Sequence, residues 1–138
     1  MYAPDEWGVW FDDRHPITPT YEWVWDGGPG SLTEASANIL AAFCRERWTS
    51  LAAVDFAAVE RYALDTLLPD PNWIDPVLRL GVRAAGIARR SGSPLTAATV
   101  DAAAADLWPG YEHVVDCYPD IFAAALVHGH TLLAKVSS

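Results

Sequence analysis

The spacing of apolar and polar residues changes once along this chain, near residue 30. Before that point the period is two. In WGVWF, Trp7, Val9 and Phe11 fall on one side and Trp10 on the other; in YEWVW, Tyr21, Trp23 and Trp25 oppose Val24. Such alternation predicts two short strands. The stretch between them contains Pro16 and Pro19 and is too irregular for a two-residue turn, so a long-looped hairpin or two separate extended pieces is expected. Gly27, Gly28, Pro29 and Gly30 then punctuate the chain. The expected organisation is an extended or hairpin segment over 1–30, packed on a helical bundle over 31–138 of the same domain.

After residue 30 the period becomes helical. Ser31 and Glu34 match a capping box, which predicts a helix from Leu32 to about Trp48, with Leu32, Ile39 and Phe43 inward and Glu34, Asn38 and Arg45 outward. A second helix is expected from near Asp55 to before Pro69, with Phe56, Val59, Ala63 and Leu67 as its stripe and Arg61 and Asp65 in water. In the turn-rich LPDPNWIDP that follows, Asp75 is expected to cap a third helix, with Pro76 in its first turn and Gly92 just past its end near Ser91. Projected at 100° per residue, Val77, Leu80, Ala84, Ile87 and Ala88 of this helix cluster, while Arg79, Arg83 and Arg90 align opposite.

A fourth helix is expected from about Thr96 to Leu107, stopped by Pro109 and Gly110. Residues 111–118 read as a short helix, and a last helix starts at Pro119 or Asp120 and reaches about Val136. Apolar side chains surround the wheel of this last helix, so it is expected at the centre of the bundle. The fold class is therefore mainly α: a single-domain bundle of five or six helices around the C-terminal one, with a short N-terminal Trp-rich β-hairpin or extended segment.

Composition narrows the setting. A chain of 138 residues is long enough to bury a core without disulfides, and Cys44 and Cys117 are far apart with no C-x-x-C spacing, so reduced thiols and a cytoplasmic location are expected. The first residues lack the basic start of a signal peptide, and no apolar run approaches the ~20 residues of a membrane span. A net charge of −9 argues against direct nucleic-acid binding, which relies on clustered Lys and Arg. High alanine, a single lysine and seven tryptophans point to a bacterial or phage source.

Charge and aromatic residues concentrate in one place. Residues 1–30 hold four of the seven tryptophans, together with Asp5, Glu6, Asp12, Asp13, Glu22 and Asp26 against Arg14 alone. Tryptophans supply large contact areas at binding hot spots, and carboxylates beside them select a cationic partner. The leading expectation is a small acidic, non-enzymatic interaction module of the inhibitor, immunity, antitoxin or adaptor kind. It would bind a basic protein through Trp7, Trp10, Trp23, Trp25, Asp12, Asp13, Glu22 and Asp26. One alternative is a small-molecule-binding domain or enzyme with an aromatic pocket, and another is a homo-oligomer that buries the Trp face or the last helix against itself.

Three further groups bear on chemistry. Arg79, Arg83 and Arg90 on one helix face form a possible anion-binding stripe. His113 and Cys117 are four apart, a spacing that suits either two metal ligands or a thiolate–imidazolium pair. His128 and His130 point about 200° apart on a helix, so they do not chelate one ion together. His128 shares the face of Ile121, Ala125 and Leu132 and reads as a core histidine. No H-E-x-x-H, G-x-S-x-G, Walker or G-x-G-x-x-G motif is present, and no catalytic residue, cofactor or metal is assigned.

Overall fold

The computed structural model describes residues 30–71, 73–110 and 119–137. These residues are mainly helical and contain no strand. Five helices follow in order: α1 (Leu32–Arg47), α2 (Phe56–Tyr62, continued by a π turn over Ala63–Leu67), α3 (Asp75–Ser91), α4 (Ala97–Leu107) and α5 (Pro119–Ser137). The segment expected over 1–30, apart from Gly30, and the short helix expected over 111–118 lie outside the described residues.

Local chemistry sets the helix ends. Ser31 Oγ accepts from Glu34 N at 3.1 Å, while Glu34 Oε1 accepts from Gly30 N at 3.0 Å, one residue before the cap amide that the capping-box pattern expects. Asp55 Oδ1 accepts from the amides of Ala57 and Ala58 at the start of α2. Thr96 caps α4 in a reciprocal box with Thr99. The expected cap of α3 is corrected: Ile74 is the N-cap and makes no side-chain bond, and Asp75 is already helical. Its carboxylate accepts from Arg79 Nε one turn on, which removes it from the backbone amides. Gly92 ends α3 in the left-handed conformation, φ 67°, and its amide bonds back to Ala88 and Arg89.

The helices share one core. α3 packs against α2, α4 and α5, and α5 packs against α1, α3 and α4, so the centre is the α3–α5 pair and not the last helix alone. Ten residues of α3 are buried, including Leu78, Val82 and Ala85, which lie beside the stripe the apolar pattern marks. The buried face of α1 is likewise rotated from its expected position. It runs through Thr33, Ser36, Ala37, Leu40, Ala41, Phe43 and Cys44, so Phe43 is inward as expected while Leu32 and Ile39 are half-buried at the edge. Small residues carry little hydropathy signal but allow a neighbouring helix to come close. Between α1 and α2, Phe43 stacks on Tyr62 with centroids 4.1 Å apart, meets Trp48 edge-on at 5.9 Å and lies under the Arg47 guanidinium.

The α3–α5 crossing is closer than ordinary side chains permit. A Cβ on Gly81 would sit 2.3 Å from Nδ1 and 3.1 Å from Cβ of His128. One on Gly129 would sit 2.7 Å from Cδ2 of Leu95 and 3.1 Å from the Gly81 carbonyl oxygen. A third contact of this kind joins α2 to α3, where a Cβ on Gly86 would meet Phe56 Cβ at 2.8 Å. Among the described residues, no helix is long and apolar enough to cross a membrane.

Gly81→Ala is expected to lower unfolding free energy by about 2–3 kcal/mol in urea denaturation, because overpacking outweighs the roughly 1 kcal/mol by which Ala favours a helix. Gly92→Ala meets open space and strains only the left-handed backbone, at about 1 kcal/mol. Equal losses at the two sites would show that the crossing relaxes freely.

Candidate functional site

The arginines of α3 fall into two sets. Arg79 is held by Asp75 on its own helix, half exposed. Arg83 makes a two-pronged contact with Glu60 of α2, Nε to Oε1 at 3.0 Å and Nη2 to Oε2 at 2.8 Å, and its Nη1 lies 3.9 Å from Asp106 of α4. Glu60 sits at the edge of the α2 stripe beside Val59, and its side chain is only 12% exposed. This charged bridge ties α2, α3 and α4 together. Arg90 lies one turn or more beyond these carboxylates, at the C-terminal end of α3 beside Arg89, a residue the stripe pattern does not single out. Among the described residues neither Arg89 nor Arg90 has a carboxylate within ion-pair distance.

His128 lies at the α3–α5 crossing and is fully buried with Ile121, Ala125 and Leu132, the face its helical spacing gives it, while His130 is exposed. Its ring rests on Gly81. Removal from water disfavours the charged imidazolium and lowers its pKa from 6.5 to about 4. The Cys44 thiol is also buried, and desolvation, opposed by nearby Arg45, raises it from 9.0 to about 11. At neutral pH it is a thiol and a packing group. Among the described residues, no three His, Cys, Asp or Glu side chains gather in a way that would hold a metal ion.

Two open clefts lie among these elements. One, of about 340 Å³, is bounded by Cys44, Arg45, Trp48, Ser50, Val54 and Val136 where α1 ends beside α5. Arg45 Nη1 there donates to the Lys135 carbonyl at 3.1 Å, so its charge caps the last turn of α5. The other, of about 370 Å³, lies between the start of α2 and the end of α3, with Val54, Asp55, Phe56 and Ala57 on one side and Gly86, Arg89 and Arg90 on the other. Of the α3 arginines, Arg89 and Arg90 line this cleft, and Arg79 and Arg83 do not. Trp7, Trp10, Trp23, Trp25, Asp12, Asp13, Glu22 and Asp26 lie outside the described residues, as do His113 and Cys117.

The buried imidazole makes stability depend on pH in one direction. Below pH 6.5 the unfolded chain binds a proton that folded His128 refuses, so stability falls as pH drops from about 6.5 to about 4 and the loss is complete below that. The shift corresponds to about 3 kcal/mol. Urea titrations at pH 7 and pH 4 are expected to show the wild type losing about that much more than His128→Met, which keeps volume without the charge. Parallel losses in the two proteins would show that His128 titrates in the folded state as it does in water.

The chain matches no protein-family model, no curated protein and no solved structure.

Proposed function

We propose that this protein is a non-enzymatic interaction module whose N-terminal segment binds a basic protein. The observation that carries the reading is the segregation of charge and aromatic residues: four of seven tryptophans and six of eighteen acids precede residue 30, beside a single arginine. Over the described helical body, by contrast, eight basic residues stand against ten acidic ones. A chain of net charge −9 therefore concentrates its acidity where its largest aromatic side chains are. Trp anchors in the same stretch as carboxylates give contact area and sign selection together.

In this reading Trp7, Trp10, Trp23 and Trp25 are the anchors, on an extended or hairpin segment. Asp12, Asp13, Glu22 and Asp26 steer the encounter. The protein acts in a bacterial or phage-infected cytoplasm, as an inhibitor, immunity protein, antitoxin or adaptor.

Steering and anchoring separate in the kinetics. Once a partner has been captured from the source cells, Asp12→Ser with Asp13→Ser is expected to slow association about three- to ten-fold at low salt and to flatten its salt dependence, at unchanged melting temperature. Trp10→Ala with Trp25→Ala is expected to raise the dissociation rate at least ten-fold. Recovery of the same proteins at the same rates by wild type and both variants would remove the segment from the binding site.

A further inference from the structure

The cleft between α2 and α3 has a composition that selects one kind of ligand. Its apolar part is Ala52, Val54 and Phe56, and its charged groups are Arg89, Arg90 and Asp55. Asp55 accepts from the amides of Ala57 and Ala58 through Oδ1. Arg89 is half-buried and Arg90 exposed, and among the described residues neither is neutralised by a carboxylate, unlike Arg79 and Arg83 on the same helix. Gly86 forms part of the wall and lets Phe56 pack directly on α3.

From this geometry we infer that the cleft is a binding site for a small monocarboxylate with an apolar body. Guanidinium groups recognise carboxylates in a planar, two-bond manner, and two of them stand on one wall of a cleft whose other wall offers Val54 and Phe56 beside Asp55. The formal charge of the lining is that of two arginines less one aspartate, which suits a single negative charge. A polyphosphate or dicarboxylate would bring a second charge against Asp55 and against a chain of net charge −9. The volume, about 370 Å³, accommodates a chain or ring of roughly ten heavy atoms with its tail on Val54 and Phe56. The residues that line the cleft are none of those assigned to the partner-binding segment, and the inference does not rest on the partner proposed for it.

Octanoate is a suitable probe, with octylammonium and acetate as controls for charge sign and apolar body. Added to the isotopically labelled full chain, octanoate is expected to shift the backbone amides of residues 52–57 and 86–92 saturably, with a dissociation constant near about 1 mM. Acetate and octylammonium are expected to bind at least about five-fold more weakly. Arg89→Gln with Arg90→Gln is expected to weaken octanoate about ten-fold or more. Ala57→Glu, an exposed first-turn position where a carboxylate favours the helix dipole, is expected to weaken octanoate similarly while keeping the melting temperature at or above that of wild type.

Octanoate shifts scattered over the surface, equal affinity for octylammonium, or full affinity in both variants would overturn the inference. It would also fail if octanoate did not bind and Arg89→Gln with Arg90→Gln moved the amides of residues 1–29 in the free protein, since the occupant would then be the chain's own acidic segment.

Discussion

How closely α3 and α5 approach decides most of what the other helices do. The crossing is made by Gly81, Gly129 and the buried ring of His128, and a methyl group on either glycine would lie within 3 Å of a neighbouring side-chain atom. Glycine inside a helix is disfavoured by about 1 kcal/mol relative to alanine, so two glycines at one crossing act through the neighbour that their missing side chains admit. With the two backbones together, α2 and α4 cover other faces of α3, while α1 and α4 cover other faces of α5. This is why burial extends so far around α3, and why Gly86 admits Phe56 of α2 in the same manner.

Crowding on α3 also arranges the charges. With so much of the helix enclosed, its arginines emerge along the seams between neighbours. Arg83 meets Glu60 and approaches Asp106 at the junction with α2 and α4. An exposed pair such as Arg79 with Asp75 adds little stability, whereas the largely enclosed Glu60 depends on its guanidinium for solvation lost on folding. Past the last carboxylate partner, Arg89 and Arg90 complement the C-terminal dipole of α3 and border the open cleft. The cleft and the ion bridge are thus two outcomes of one helix running through the middle of the bundle.

Helix positions were legible in the sequence wherever local chemistry sets them. Ser31 and Glu34, Asp55, Thr96, Gly92 and the breaks at Pro69 and Pro109 mark ends close to those observed, because capping and chain reversal act within a few residues. The inward stripe of α2 was also legible, since large residues carry it. Hydropathy revealed Phe43 on the buried face of α1 but not the centre of that face, which depends on Ala37, Leu40 and Ala41, or the sharing of the centre by α3 and α5, which depends on two glycines. Both are properties of fit between distant segments. Arg90 was legible as one of an arginine stripe, but its neighbour Arg89 was not, because cleft membership follows from where α2 begins and not from the periodicity of α3.

If the α3–α5 crossing is the element on which the fold depends, it should be the last to open. Native-state hydrogen exchange across a series of denaturant concentrations measures this residue by residue. The expected result is that amides around Gly81 and Gly129 exchange only through global unfolding, with opening free energies equal to that from denaturant titration, while α1, α2 and α4 open at lower cost. Exchange at the centre of α3 by local opening, while α1 or α4 keeps full protection, would contradict the account.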